Sequence, residues 1–160
     1  MNELIAFSAR YLFALVVLAE ALYLFLFHRR QWKRLLIATI VIGGGSFLAS
    51  LLLNRIVQDP RPFIVQGFTP LIPSSSDNGF PSDHTLLLSA TAAITMIANP
   101  WAGAAGLLLA IAVGLARVYA GVHHVLDIVG SLFIVGFISA AYLIAWMVVI
   151  RNPENKPKAL

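Results

Sequence analysis

Two histidines and an aspartate in the second half of the chain have the spacing of a nucleophilic site. His123 and Asp127 stand four residues apart, which places them on one face of a helix. Asp127 would accept from one ring nitrogen of His123, fix the tautomer and leave the other nitrogen free to attack. The plain alternative is a buried structural His–Asp pair. Arg117 lies six residues before His123 and carries a planar fork of donors suited to phosphate oxygens. Upstream, Pro81-Ser82-Asp83-His84 precedes an apolar run. Ser82 is placed to cap a helix whose free N–H groups and positive dipole end favour an anion. His84 would project there as proton donor to a leaving oxygen; otherwise the segment is a simple cap with an interfacial histidine. In Asp59-Pro60-Arg61-Pro62-Phe63 two prolines fix the backbone around Arg61, presenting it to a phosphate or to a lipid headgroup.

The elements that must position these groups are set by composition. The chain has 160 residues, 59% of them hydrophobic and 11% charged, with mean hydropathy +0.86. A soluble domain of this size is about 45–50% apolar and about 25% charged, and a short chain cannot hide so much apolar surface in one core. Five segments approach the roughly 20 apolar residues that a bilayer crossing needs: about 8–27, 35–56, 82–98, 101–118 and 124–150. The expected architecture is an all-α integral membrane bundle of five helices in a single membrane-embedded domain over 1–160, with residues 151–160 as a polar tail. Residues 1–7 form either a short interfacial helix or the start of the first span. They do not read as a cleaved signal peptide, since Glu3 is followed by a long apolar stretch and no small-residue cleavage pattern.

The connections alternate in character. Residues 28–34 are a basic hinge, 58–81 a long loop rich in Pro, Ser, Asp and Asn, 99–100 a tight turn and 119–123 a short glycine-containing link. Five crossings put the hinge, the 99–100 turn and the tail on one side. That side holds Arg29, Arg30, Lys33, Arg34, Arg151, Lys156 and Lys158, seven of the eleven Lys and Arg residues. The positive-inside rule makes it cytoplasmic, with the 58–81 loop and the reactive side chains outside. The net charge of +4 therefore reads as loop charge rather than a nucleic-acid surface. Cysteine is absent, which excludes disulfides, thiolate metal sites and cysteine nucleophiles.

Taken together, the three segments resemble the signature of the type 2 phosphatidic acid phosphatase superfamily: K-x6-R-P, then P-S-G-H, then S-R-x5-H-x3-D. Arg61-Pro62 matches the end of the first motif, Pro81-Ser82-Asp83-His84 the second, and Arg117, His123 and Asp127 the third at the family spacing. The resemblance covers about 54–131, the motif core. Three departures stand out: Asn54 occupies the family's Lys position with Arg55 beside it, Asp83 replaces Gly, and Ala116 replaces Ser. Pro-Arg-Pro-Phe followed by Phe-Pro-Ser-Asp-His is most similar to the bacterial undecaprenyl-diphosphatases associated with bacitracin resistance, which usually have six spans.

The resemblance implies a lipid phosphatase of the bacterial cytoplasmic membrane that uses no cofactor and no metal. It implies that His123 attacks phosphorus to form a phosphohistidine, that Asp127 orients and stabilises His123, and that His84 protonates the leaving phosphate and then activates water. Arg61, Arg117, Ser82, Asp83, Asn54 and Arg55 would hold or border the phosphate. The implied substrate is a polyprenyl diphosphate with its chain between helices. Other readings are phosphatidylglycerol phosphate or phosphatidate as the lipid, a non-catalytic lipid-binding or transport protein with the His–Asp pair in a proton path, and a zinc site on His84, His123 and Asp127. No nucleic-acid partner is implied, and oligomeric state is not addressed.

Remaining features read as structural. His124 is off the His–Asp register and suits a groove wall. Gly43-Gly44-Gly45-Ser46, Gly103, Gly106 and Gly114 suit close helix packing. Trp32, Trp101 and Trp146 suit interfacial anchoring. Glu20, in mid-span, pairs with Asn54 or Ser50 or faces a polar cavity. Ser74-Ser75-Ser76-Asp77 reads mainly as plain loop, with shaping of a substrate entrance as the alternative.

Overall fold

The computed structural model describes residues 2–151, and side chains as far as residue 148. Six helices carry the described chain: α1 (Asn2–Phe27), α2 (Arg29–Ile56), α3 (Pro62–Gln66), α4 (Asp83–Ala98), α5 (Pro100–Tyr119) and α6 (Val125–Arg151). No strand forms among the described residues. Leu18, Phe25, Phe133 and Phe137 stand exposed on the outside, the surface expected of a bundle whose solvent is lipid and whose backbone polar groups are satisfied within helices.

Four helices, α1, α2, α5 and α6, are long and apolar enough to cross a bilayer. The third expected span is α4, with 16 residues, about 24 Å at the helical rise against a hydrocarbon core of about 30 Å. Its ends explain the length. Asp83 opens it, and Asn99 leaves the helical region (φ −146°, ψ 109°) ahead of Pro100. This short helix is central: α1, α2, α5 and α6 all pack on it, and Leu86, Leu88, Ala90, Ala92 and Ile94 are buried on several of its faces.

The ends of the spans select between the expected alternatives in one place and differ from expectation in another. The first helix starts at Asn2 and runs through a π turn at Ser8–Leu12 to Phe27, so residues 2–7 extend the first span. The basic hinge is itself helical from Arg29 onward; only His28 breaks the helix (φ −124°, ψ 24°). Lys156 and Lys158 of the expected tail lie outside the described residues. Asn99 caps α5, its Oδ1 accepting from the N–H groups of Trp101 (3.0 Å) and Ala102 (3.2 Å), with Pro100 at the first helical position as its fixed φ favours.

Small residues set the closest helix approaches. A Cβ on Gly103 would collide with the backbone of Met96, and one on Gly114 would sit 2.6 Å from Ile128 Cγ2 and 3.0 Å from Thr85 Oγ1. Gly43 and Gly44 face open space instead, within a π stretch at Thr39–Gly44, so the close-packing expectation fails for them. Beneath the polar end of the bundle, Val16, Leu88, Ala110 and Val113 form a buried apolar layer.

Candidate active site

The loop of residues 58–81 is tied down by amides rather than by regular structure. Asn78 Nδ2 donates to the carbonyls of Asn54 (2.8 Å) and Val57 (2.7 Å), and its Oδ1 accepts from the Asp59 N–H at 2.7 Å. Asn54 Nδ2 donates to the Phe80 carbonyl at 2.7 Å. These ties bring Arg61 back over the end of the bundle. Arg61 precedes α3, whose first residue is Pro62. Gly121, at φ +77°, turns the chain sharply between α5 and α6, where the Phe68 ring leaves no room for a Cβ.

His123 sits in that turn and is only 3% exposed. Its Nδ1 is 3.0 Å from Asp127 Oδ2, the oxygen that also accepts from the His124 N–H at 2.8 Å. An aspartate beside Nδ1 selects the tautomer with hydrogen on Nδ1. The Nε2 lone pair then faces two guanidinium groups, Arg61 Nη1 at 3.5 Å and Arg117 Nη2 at 3.4 Å. Both arginines are 7% exposed and are fixed by main-chain carbonyls: Arg61 Nη1 donates to Val122 O (3.0 Å) and Arg117 Nη1 to Ala9 O (2.8 Å). Burial, with the two nearby cations, pushes the His123 imidazole below its ordinary pKa; hydrogen bonding to Asp127 acts the other way.

A pocket of about 340 Å³ opens above these groups. His84, Asp83, Arg61, Arg117 and His123 all line it, so residues from three separated segments meet on one cavity. The His84 ring packs edge-on against Phe13 of α1 at 4.1 Å between centroids. Three expected phosphate-site residues are elsewhere. Ser82 holds the N-cap position of α4 without a side-chain cap bond; it is fully buried, its Oγ accepts from Thr85 Oγ1 (3.3 Å) and its carbonyl accepts from Ser131 Oγ (3.0 Å). Asn54 is spent on the loop ties, and Arg55 is exposed and off the pocket.

Other residues reach the pocket that no motif marks. Arg10, Ser74, Ser75 and Asp77 line it, so the serine-rich loop shapes the entrance. Asp77 Oδ1 accepts from Arg61 Nε (3.0 Å) and Nη2 (2.9 Å) and from Ser75 Oγ (2.6 Å). The Ser75 bond foremost, then Arg61, holds the Asp77 carboxyl below its usual pKa. His124 pairs with Asp59, Nδ1 to Oδ1 at 3.1 Å, while burial and then the neighbouring Asp127 raise the Asp59 pKa. Asp59, His124 and Asp127 offer three ligand atoms within 4.8 Å of one another. This is the one such group found among the described residues, and it differs from the His84, His123 and Asp127 set considered for zinc.

The arrangement suits an anion with a tetrahedral electrophilic centre: a neutral imidazole nitrogen aimed between two fixed guanidinium groups, with a second imidazole on the same cavity. Known proteins resemble the chain in sequence and fold. Undecaprenyl-diphosphatase BcrC of Bacillus subtilis is 29% identical over 129 residues, 79% of this chain and 65% of that protein. The chain thus spans slightly less than two thirds of that relative's length. A bacitracin transport permease protein, BcrC of Bacillus licheniformis, is 30% identical over 148 residues, 89% of this chain and 70% of the relative. The crystal structure of a transmembrane PAP2-type phosphatidylglycerolphosphate phosphatase from Bacillus subtilis matches the fold with a TM-score of 0.63 at 24% identity, over 95% of this chain and 79% of that one. The family model of the PAP2 superfamily covers residues 32–152, more than half the chain and all three motifs, and the chain belongs to that superfamily.

Proposed function

We propose that the chain is a membrane lipid phosphatase that removes the terminal phosphate of a polyprenyl diphosphate, undecaprenyl diphosphate foremost, giving the monophosphate. The observation that carries the reading is His123: its Nδ1 is held by Asp127 and its Nε2 faces both Arg61 and Arg117. In this reading 1–160 acts as one membrane-embedded phosphatase domain whose motif core is 54–131.

Nε2 attacks the terminal phosphorus, and the bond to the bridging oxygen breaks. His84 delivers a proton to the leaving lipid phosphate. The phosphohistidine that remains is hydrolysed by a water that His84 then deprotonates. Asp127 balances the positive charge gained by His123. Arg61 and Arg117 hold the non-bridging oxygens, as phosphoryl transfer requires of a site that works by positioning and electrostatics. Asp83, at the pocket edge, orients His84 or a loop amide. No step calls on a metal ion or another cofactor. The name of the Bacillus subtilis relative supports the diphosphate substrate, and the exposed apolar flanks of the bundle suit a lipid chain.

The basic residues from Arg29 to Arg34 lie at the end of the bundle opposite the pocket, which supports a bacterial inner-membrane protein with the pocket on the extracytoplasmic face and the C-terminus in the cytoplasm. Two other readings have a specific support. A glycerophospholipid phosphate substrate is suggested by the phosphatidylglycerolphosphate phosphatase whose fold this chain shares, and transport by the name of one relative.

Phosphate release from a lipid panel in detergent, wild type against His123→Ala, tests the proposal. Release from undecaprenyl diphosphate that disappears in the variant is expected, unchanged by a chelator and blocked by vanadate. Turnover of phosphatidylglycerol phosphate alone would move the substrate, loss on chelation would restore a metal mechanism, and release by neither protein would overturn the enzyme reading.

A further inference from the structure

A second polar site lies inside the bundle, away from the phosphate pocket. Glu20 of α1 is 9% exposed, and neither carboxyl oxygen has a hydrogen-bond partner among the described residues. Neither Asn54 nor Ser50 reaches it: Ser50 Oγ donates to the Phe47 carbonyl and Asn54 is bound to Phe80. Glu20 borders a cavity of about 450 Å³ between α1, α4 and α5, lined also by Tyr23, Thr95 and Gly106, and both its carboxyl oxygens are buried. Gly106 makes the room: a Cβ there would overlap Glu20 Oε1.

The groups around the carboxyl are short of donors. Thr91 faces it, and its hydroxyl also lies 3.0 Å from the Leu88 carbonyl, which competes for its one hydrogen. Thr95 Oγ1 is buried and without a partner among the described residues. Tyr23 is the other titratable residue on the cavity, and no Lys, Arg or His is among the described residues that line it. An ionised carboxylate at this depth, without a counter-charge, would be costly. A hydrogen on Glu20 removes that charge and gives the carboxyl a donor of its own.

A polar cluster lies between Glu20 and the end of the bundle opposite the phosphate pocket. Tyr23 Oη meets His28 Nε2 at 3.2 Å and accepts from Asn99 Nδ2 at 2.8 Å. Toward the pocket lies the buried layer of Val16, Leu88, Ala110 and Val113. Glu20 is seven residues from Phe13, which packs on His84, a rise of about 10 Å.

We propose that Glu20 is an intramembrane proton-binding site, set beside this cavity and separate from the phosphate chemistry. The proposal does not depend on the phosphatase reading.

Dicyclohexylcarbodiimide, an apolar reagent, tests it on the full-length wild-type protein in detergent or lipid. Only a protonated carboxyl reacts: its hydrogen passes to one carbodiimide nitrogen, its oxygen bonds to the central carbon, and rearrangement leaves an N-acylurea with no leaving group. Peptide mass mapping should find one whole reagent added at Glu20. Labelling should fall as pH rises and be unaffected by sodium at fixed pH. No adduct at Glu20 at any pH at which the protein stays folded would overturn the proposal, as would protection by sodium, which would make the ligand a metal cation. Glu20→Gln should abolish the adduct. If that variant fails to fold, Glu20→Asp with the same mapping serves, and the wild-type map stands alone.

Discussion

Asp77 occupies the fork of Arg61. A single carboxylate oxygen takes both Nε and Nη2 at 3.0 and 2.9 Å, while Nη1 is left to Val122 and His123. The Asp77 side chain is 66% exposed, so the bond is one that water and a phosphate can contest. Exposed ion pairs contribute about 0.2–1 kcal/mol. Asp77→Asn should therefore lower the KM for the diphosphate, by up to about fivefold at the top of that range, with kcat little changed. A KM that rises would show that Asp77 positions Arg61 for the substrate rather than competing with it.

Asp127→Asn tests the proposed role of Asp127 in orienting His123. The amide nearly preserves shape but cannot accept from Nδ1–H while also balancing a His123 cation. A comparable change in a serine protease triad costs about 10⁴ in kcat. A fall on the order of 10³–10⁴, with an unchanged melting temperature in detergent, is expected. A loss of under tenfold would leave the His–Asp contact as a structural pair.

The acid limb of the pH profile follows from His123. In the proposed mechanism its imidazole must be neutral to attack, and burial lowers its pKa from the ordinary value of about 6.5. The neutral form therefore persists into more acid solution, and kcat/KM should fall with a midpoint below about 6.5. A midpoint at or above that value, in protein shown to be folded, would contradict the buried, cation-flanked environment.

Glycine substitutions should separate packing from exposure. Gly114→Ala drives a methyl into Ile128 and Thr85, and overpacking of this kind costs about 1–3 kcal/mol. Gly43→Ala meets nothing within 4 Å and removes backbone entropy, worth about 0.5–1 kcal/mol in favour of the helix. Thermal unfolding in one detergent should order the three proteins Gly43→Ala, wild type, Gly114→Ala, from most to least stable.

The parts legible in the sequence are those written in local patterns. Hydropathy locates the helices, and i,i+4 spacing with recognisable motifs leads to His123, His84 and the two arginines, which share one pocket, and to Asp127 bonded to His123. The third span is short because its ends depend on Asp83 and the Asn99-Pro100 corner rather than on hydropathy. Ser82 has the sequence context of a cap and a phosphate contact, yet burial directs its groups to Thr85 and Ser131. Asp77 and Arg10 line the pocket and Asn78 ties down its loop, through contacts across 16 to 108 residues, the longest being the Ala9 carbonyl that draws the start of α1 to Arg117. A serine, an asparagine or an acid in a polar loop gives no local sign of such a partner.

The apolar layer of Leu88, Ala110 and Val113 also has an electrical consequence. A transmembrane potential falls across low-dielectric material, and moving one elementary charge through the whole drop is worth about 2.3 kcal/mol per 100 mV. With the guanidinium-lined pocket at one end of that insulating layer, a phosphate reaching His123 crosses little of the field. Turnover in energised vesicles should then match turnover in collapsed ones, whereas the occupancy of Glu20, on the far side of the insulator, should follow the voltage.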